Sequence, residues 1–463
     1  MRRPRALAAG VVLVLVAVVA ALQDEPSASV SAVPVAAATT TTITPTTTEP
    51  STTTTSSTST STTSSSTTTT TTTVPPDPPP PGFVEAVRAA LADPRFESAM
   101  VGLAVWVEGS GMVLTHNADV ALRPGSNEKL LVAWGAYGII GAGATLNTEV
   151  RVDGERDGSA LRGDLFLVGG GDPTLRSTGG HSLDRLAAQL RDQGVTEVAG
   201  DLVADESGFD GERKAPGWTE RHVPNFVGPL SALAVDRNLL RTDPEYLANP
   251  ALGNMGAFRT ALRRYGINVT GGERMGTAPG AAPVVASLGS APVADLAREM
   301  LTYSDNFYAE MLLKEVGRRA RGLGTLENGM AAVRQLAGEA GVRLSGTAAD
   351  GSGLSRDNAR PAREWAELLV AARSQPWFHQ LVDGLAVGAR TGTLANRFHG
   401  TPGAGNVRAK TGSVRASRAL SGYLTTAGGR PVVFSLVVNS DPVPGAVIPA
   451  MDGLVAAMAA GPG

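Results

Sequence analysis

The sequence predicts a mixed α/β (α+β) fold, in which both ends of the folded chain build one sheet flanked by helices and a second α/β domain is inserted between them. The alternating apolar segment 101–107 is typical of a strand, and the apolar segments 419–425 and 432–439 near the C-terminus are also strand-like. Residues 146–287 have a different texture, with short strand-like segments separated by Gly-rich turns. Because sheets and helices must each bury an apolar face, we expect the terminal strands to share one sheet with helices on its faces.

The first 22 residues have the pattern of an export signal. Arginines at positions 2, 3 and 5 precede an unbroken apolar run from Ala6 to Leu22. Cleavage after the small residues near Ala21 would release the chain, whereas an uncleaved run would anchor it in the membrane. Residues 1–22 are therefore predicted to be a signal peptide or a membrane anchor, and both place the remainder outside the cytoplasm.

Residues 23–82 are predicted to be a disordered stalk rich in Thr, Ser and Pro. The stretch 39–73 is almost wholly Thr and Ser, and a run of prolines follows it. Such a segment has too little apolar surface to offset the entropy lost on ordering. The stalk is either O-glycosylated or an unmodified linker. Folding is expected to begin at residue 83, with one domain formed by 83–145 and 288–463 and an inserted domain at 146–287.

Hydrophobic periodicity places helices and strands within these domains. Helices are predicted over 83–91, 130–140, 183–193, 255–265, 293–302, 307–319, 329–340, 363–372 and 451–460. Strands are predicted over 101–107, 112–115, 164–168, 197–203, 405–414, 419–425 and 432–439. We expect 405–414 to be an edge strand of the main sheet.

Composition and charge exclude several classes of function. The formal net charge is −3, which argues against nucleic-acid binding as the main task. The chain has no cysteine, which excludes disulfides, cysteine nucleophiles and thiolate metal sites. Its five histidines show neither paired metal-ligand spacing nor the context of a Ser-His-Asp hydrolase. No metal and no cofactor is predicted.

Three short strings indicate a serine acyl-transfer site: Ser126-Asn127-Glu128-Lys129, Ser304-Asp305-Asn306 and Lys410-Thr411-Gly412. Each alone is common, as a helix start, a helix cap or a loop. Their joint occurrence, in this order, favours catalysis. Positions 126 and 129 fall on one face of a helix, so a lysine amine can serve as the base that a serine hydroxyl needs. Burial and a second positive charge, supplied by Lys410, would lower the pKa of Lys129.

Further strings extend this pattern to about residues 85–460, and with them the sequence resembles the class C low-molecular-mass penicillin-binding proteins, the D-alanyl-D-alanine carboxypeptidase/endopeptidases. The strings are Gly170-Gly171-Asp172-Pro173-Thr174-Leu175, Lys214-Ala215-Pro216-Gly217-Trp218, Val235-Asp236-Arg237-Asn238, Asp350-Gly351-Ser352-Gly353-Leu354-Ser355-Arg356 and Gly392-Thr393-Leu394-Ala395. The resemblance implies a penicillin-binding/β-lactamase-like catalytic domain.

The resemblance also implies roles for individual residues. Ser126 would be the acylated nucleophile and Lys129 its base, while Lys410 would polarise the site. Ser304 and Asn306 would relay protons and hold the substrate amide. Further substrate contacts would be made by Thr411, Gly412, Ser413, Leu354 and Arg356. The backbone N–H groups of Ser126 and Ser413 would form the oxyanion hole.

One substrate-binding position departs from the family pattern. The family often carries an acidic residue three or four positions after the tryptophan of the Lys214–Trp218 string, where it binds a free amine of the stem peptide. Here those positions hold Arg221 and His222, with Glu220 just before them. We expect Glu220 to be the substitute, or the preference for a free amine to be weak.

The implied activity is that of a serine D-Ala-D-Ala carboxypeptidase, with or without DD-endopeptidase activity, that acts on peptidoglycan and is inhibited by β-lactams. A serine β-lactamase shares the three motifs, but the long stretch between Ser126 and Ser304 is unlike a compact enzyme of that type. A non-enzymatic envelope scaffold or sensor would be expected to lose Ser126, Lys129 or Lys410. The predicted partners are stem peptides and β-lactams, with no nucleic acid and with membrane contact only through an N-terminal anchor.

Overall fold

The computed structural model describes residues 77–461. The predicted signal or anchor (1–22) and the predicted stalk up to residue 76 lie outside the described residues. The last predicted stalk residues, however, contact the folded part. The Asp77 N–H donates to the Gly109 carbonyl (2.9 Å), and Ser110 Oγ donates to the Pro78 carbonyl (3.2 Å). These hydrogen bonds hold Asp77 and Pro78 against the folded part, and the disordered stalk as a whole stays a prediction.

A six-stranded antiparallel sheet carries the motifs. Its strand Met100–Val107 pairs with Pro431–Asn439, so that Leu103 faces Leu436. This pairing confirms the prediction that the two ends of the folded chain share one sheet. In spatial order the strands are Ala386–Val387, Arg408–Val414, Ser417–Thr425, Pro431–Asn439, Met100–Val107 and Gly111–His116.

The predicted edge strand is covered over its first two residues. The two-residue strand Ala386–Val387 pairs with Ala409 and Arg408 of the strand Arg408–Val414. Beyond Ala409, the strand pairs only on its inner side within the part of the chain that the structure describes. The Lys410-Thr411-Gly412 motif thus lies at an open edge, although the strand that carries it is not outermost.

Helices cover both faces of this sheet, as alternate strand residues require. Leu436 packs into the core beneath Phe83–Leu91 and Val447–Ala459, whereas Val437 packs against the larger helical layer. That layer contains Lys129–Gly135, Val293–Tyr303, Asn306–Arg321, Leu326–Glu339, Ala362–Ala372 and Phe378–Gly384. No helix within residues 77–461 has both the length and the apolar character of a membrane-spanning segment.

The predicted helix 130–140 falls in two consecutive helical segments, which a 3₁₀ turn precedes. A 3₁₀ turn, Gly125–Glu128, leads into the α-helix Lys129–Gly135, and a π-helical segment, Ala136–Gly141, completes it. The glycines allow close packing, because a Cβ atom at Gly138 would lie 2.4 Å from Leu336 Cδ2. The geometry of this helix is therefore set by close packing against the helix Leu326–Glu339, which hydrophobic periodicity does not show.

Residues 147–289 contain a second, seven-stranded sheet with its own apolar core. The predicted strand 197–203 is two strands, Glu197–Val198 and Leu202–Asp205, because the chain bends at Gly200, where a Cβ atom would lie 2.2 Å from the Gly163 carbonyl oxygen. The other strands are Asn147–Asp157, Ala160–Val168, Asn268–Val269, Glu273–Met275 and Val284–Gly289, and the helices are Leu183–Asp192, Pro244–Ala248, Pro250–Gly253 and Met255–Arg264. The division into separate domains at residues 146–287 stays a prediction.

Candidate active site

Ser126 and Lys129 meet where the first helix of the larger helical layer begins. Ser126 lies in the 3₁₀ turn and is partly exposed, whereas Lys129 opens the α-helix and is fully buried. Lys129 Nζ donates to Ser126 Oγ at 3.0 Å. The two groups are therefore within the reach that proton transfer requires.

The surroundings of Lys129 determine its charge. Its Nζ also donates to Asn306 Oδ1 (2.9 Å) and to the Ser352 carbonyl (2.6 Å). Burial lowers the pKa of Lys129 to about 8, against the opposing attraction of Asp350 and Glu310. At pH 7 about a tenth of such amines are neutral and able to accept a proton.

Lys410 approaches the same site from the sheet edge. Its Nζ donates to Ser304 Oγ (2.9 Å) and to the Thr411 carbonyl (2.8 Å). Burial, and then the positive charge of Lys129, lower the pKa of Lys410 well below its usual value. Lys129 has three hydrogen-bond acceptors and lies near carboxylates. Without substrate, the proton is therefore favoured on Lys129 rather than on Lys410. Burial, more than a second cation, is what lowers the pKa of Lys129.

The Ser304-Asp305-Asn306 motif joins two helices. Ser304 ends Val293–Tyr303 in the left-handed conformation (φ 64°), and Asp305 caps Asn306–Arg321 by accepting from the Tyr308 N–H (3.1 Å). Asn306 Nδ2 donates to the Phe226 carbonyl (3.2 Å), which leaves Oδ1 facing Lys129. The motif thus presents Ser304 to one lysine and Asn306 to the other.

Three glycines let the nucleophile turn contact its neighbours closely. A Cβ at Gly125 (φ 51°) would lie 3.1 Å from the Ser413 nitrogen, and one at Gly412 would lie 2.3 Å from the Pro124 carbonyl oxygen. A Cβ at Gly353 (φ 84°) would lie 2.8 Å from the Ser126 nitrogen. The backbone nitrogens of Ser126 and Ser413 therefore lie on adjacent segments, as a shared oxyanion site requires.

The turn at residues 350–353 places the Ser352 carbonyl oxygen next to Lys129. Glu310 is fully buried and accepts from the backbone N–H groups of Gly351 (3.1 Å) and Ser352 (2.8 Å). Asp350 accepts from Trp218 Nε1 (2.7 Å) and from the Ser355 N–H (2.7 Å). These bonds hold the Ser352 carbonyl against Lys129. Burial raises the pKa of Glu310 to about 8.

The sequence prediction missed several of these groups. Glu310 could have been found, because it follows Asn306 by four positions and so lies on the same face of the helix. Thr393, whose Oγ1 lies 2.8 Å from Thr411 Oγ1, belongs to a string that carries the family resemblance but has no predicted role. The role of the Phe226 carbonyl could not be predicted from the sequence, because every residue type has a backbone carbonyl.

Within the described residues, the side chains of three predicted substrate contacts make no hydrogen bond to the catalytic motifs. Glu220 has a highly exposed side chain, and its carboxylate accepts from Lys214 Nζ at 2.6 and 2.7 Å. Leu354 is partly buried in an apolar cluster beside Trp218, and Arg356 is exposed. The structure therefore brings together Ser126, Lys129, Ser304, Asn306, Lys410, Thr411, Gly412 and Ser413. Glu220 and Arg356 are exposed, whereas Leu354 adjoins the turn at residues 350–353 and its N–H donates to Ser352 Oγ (3.4 Å).

The sheet has helices on both faces and carries one motif at its open edge, and the helices bring the other two motifs to that edge. This is the fold of a penicillin-binding protein. The chain belongs to the D-Ala-D-Ala carboxypeptidase 3 (S13) family, whose sequence profile matches residues 83–256 and 244–458.

Curated relatives agree with this assignment, and a solved structure shares the fold. The chain is 31% identical over 450 residues to the D-alanyl-D-alanine carboxypeptidase of Actinomadura sp. strain R39, covering 78% of this chain and 82% of that protein. It is 31% identical over 391 residues to carboxypeptidase DacB of Mycolicibacterium smegmatis, covering 78% and 80%. Penicillin-binding protein 4 of Haemophilus influenzae shares the fold, with a TM-score of 0.72 at 22% identity, covering 81% of this chain and 99% of that one.

Proposed function

We propose that this chain is a serine-type D-Ala-D-Ala carboxypeptidase that cleaves peptidoglycan stem peptides through an acyl-enzyme on Ser126, and that β-lactams acylate the same serine. The observation that carries the proposal is the 3.0 Å contact between Ser126 Oγ and Lys129 Nζ, a buried amine whose pKa is lowered to about 8. The carboxypeptidase names of the curated relatives support the same reaction.

Substrate binding would favour the neutral form of Lys129, which can accept a proton. The terminal carboxylate of the stem peptide would lie against Thr411 and Ser413, next to Lys410. An anion there favours the protonated form of Lys410. Because a cation at Lys410 opposes a cation at Lys129, the arriving carboxylate would favour the neutral amine of Lys129 that the reaction needs.

Acylation then follows from the positions of the groups. Lys129 Nζ takes the proton of Ser126 Oγ, which attacks the carbonyl carbon of the penultimate D-Ala. The backbone N–H groups of Ser126 and Ser413 stabilise the oxyanion. As the C–N bond breaks, the leaving D-Ala nitrogen receives a proton through Ser304 Oγ, which accepts from Lys410 Nζ at 2.9 Å.

Deacylation completes the cycle when water attacks the ester carbon and the bond to Ser126 Oγ breaks. Ser126 Oγ then takes back the proton held by Lys129, and the proton released by the water passes through Ser304 Oγ to Lys410. An endopeptidase reaction needs the same bonds to form and break, with the amine of a cross-linked stem as the leaving group. The export pattern in residues 1–22 supports action outside the cytoplasm, on the cell wall. Glu220 would contact a substrate amine only by exchanging its bonds to Lys214 for bonds to the substrate.

Mass analysis of digested peptidoglycan tests the proposal. Wild-type protein is incubated with peptidoglycan and with a free stem pentapeptide, and Ser126→Ala serves as the inactive variant. We expect loss of the terminal D-Ala with wild type and none with Ser126→Ala, and cleaved cross-links would add endopeptidase activity. Stable penicillin binding without peptide cleavage would instead indicate a sensor. Rapid hydrolysis of penicillin would indicate a β-lactamase.

A further inference from the structure

Two strings of the sequence, Gly170–Leu175 and Val235–Asn238, contribute no residue to the reaction described above. The second has an unusual backbone. Asp236, Arg237 and Asn238 are consecutive non-glycine residues with positive φ, at 48°, 61° and 57°. Such conformations are costly and persist where the surroundings fix them.

The surroundings that fix this backbone come from the region that carries the second sheet. The Asp236 N–H donates to the Leu175 carbonyl (2.9 Å), and Asp236 Oδ2 accepts from the Ser177 N–H (3.0 Å). Asn238 Nδ2 donates to the Pro229 carbonyl (2.9 Å), and its Oδ1 accepts from Asn254 Nδ2 (2.9 Å). Arg237 is therefore held between two anchored neighbours.

The anchored Arg237 binds the middle residue of the second catalytic motif. Its Nη2 donates to Asp305 Oδ2 at 2.6 Å, and its guanidinium lies 5.2 Å from the centre of the Tyr308 ring. The other oxygen of Asp305 caps the helix through the Tyr308 N–H. Both carboxylate oxygens are thus occupied, and Asp305 is fixed between Ser304 and Asn306.

A second contact from the same segment fixes the amide of Asn306. The Phe226 carbonyl can only accept, so Asn306 must turn its Nδ2 toward Phe226 and its Oδ1 toward Lys129. Ser304, on the other side of Asp305, holds a left-handed backbone that also needs support.

We propose that Arg237 is a positioning residue for acylation, and that the segment 226–238 holds Ser304 and Asn306 in register with Lys410 and Lys129. The inference rests on the proposed function, since it concerns the rate at which Ser126 is acylated. Because misplacing a catalytic group by about 1 Å costs up to about a hundredfold in rate, loss of Arg237 should matter far more than an exposed ion pair would.

The chain contains a matched control four residues away. Arg241 donates to Asp243 (2.7 Å), Asp243 caps a helix through the Tyr246 N–H (3.0 Å), and the Arg241 guanidinium lies 5.9 Å from the Tyr246 ring centre. This arrangement repeats that of Arg237, Asp305 and Tyr308 without a catalytic motif. Arg241→Gln therefore reports what loss of such a cluster does to the fold alone.

The test measures acylation of the full chain by a fluorescent penicillin as a function of pH, together with the melting temperature. We expect Arg237→Gln to lower the acylation rate about ten- to a hundredfold, Arg237→Lys to restore part of it, and Arg241→Gln to leave it unchanged. Arg237→Gln should also move the acidic limb of the pH profile upward, because an uncompensated Asp305 favours protonated Lys129. The other titratable groups around Lys129 are unchanged in this variant: Asp350, Glu310, Glu128 and Lys410.

Each outcome decides the inference. If Arg237→Gln fails to fold, Arg237→Lys carries the test, and a reduced rate with a preserved melting temperature supports positioning. Equal rates in wild type, Arg237→Lys and Arg237→Gln would overturn the inference and leave the proposed function intact. A wild-type chain that penicillin does not acylate would overturn both.

Discussion

Replacing Lys129 with arginine tests the base directly, because it keeps a donor at the site but removes the neutral form. With a pKa of about 8, Lys129 is neutral in about a tenth of molecules at pH 7. An arginine has an ordinary pKa above about 12. If burial lowered that value by as much as it lowers the pKa of Lys129, the neutral fraction would still fall about a hundredfold. Acylation of Lys129→Arg should therefore be slower by about a hundredfold or more.

The assay is the second-order rate of labelling by a fluorescent penicillin at pH 7, with circular dichroism to show that the fold survives. Lys314→Arg is the matched control, because Lys314 is also fully buried and donates to Asp210 and to the Glu212 carbonyl (2.9 Å), outside the Ser126 network. We expect this control to label at nearly the wild-type rate. Labelling of Lys129→Arg within tenfold of wild type would refute the reasoning and would point to a proton route through Ser304.

Two further predictions concern buried carboxyl groups. Burial raises the pKa of Glu128 to about 8, and neither of its oxygens has a hydrogen-bond partner among the described residues. Protonated Glu128 stabilises the folded state fully below the unfolded pKa of about 4.5. As the pH rises from there toward 8, this stabilisation is lost by about 1.4 kcal/mol per pH unit. Glu128→Gln should therefore gain stability relative to wild type between pH 5 and 8 in urea titrations, and parallel curves would contradict this. Glu310→Gln can accept only one of the two N–H groups that Glu310 binds, so it should slow acylation about tenfold by releasing the Ser352 carbonyl, and an unchanged rate would show that the turn holds without it.

Local patterns predicted the elements that local forces determine. The predicted helix 83–91 is found as Phe83–Leu91, and the paired apolar strands at the two chain ends have the expected positions, because each buries a regular apolar face. The three motifs were visible because their chemistry requires particular residue types in a fixed order. Their convergence in space at one sheet edge was an inference from that chemistry.

Long-range contacts explain what the sequence did not reveal. The bend at Gly200 depends on the approach of the Gly163 carbonyl, and Asp77 and Pro78 are held by hydrogen bonds to a distant hairpin. The support of Asn306 by the Phe226 carbonyl uses a group that all residues share. The resemblance left two alternatives for Glu220, a substitute contact to the substrate amine or a weak preference for that amine, and its pairing with Lys214 could not be foreseen from either.

Mapping the covalent adduct of a β-lactam tests the central claim most directly. The full chain is incubated with penicillin and digested, and peptide mass spectrometry locates the modified serine. Since Ser126 is the serine whose Oγ contacts the buried Lys129, the account predicts a single adduct on Ser126, abolished in Ser126→Ala. An adduct on Ser304 or Ser352 with Ser126 unmodified would contradict it.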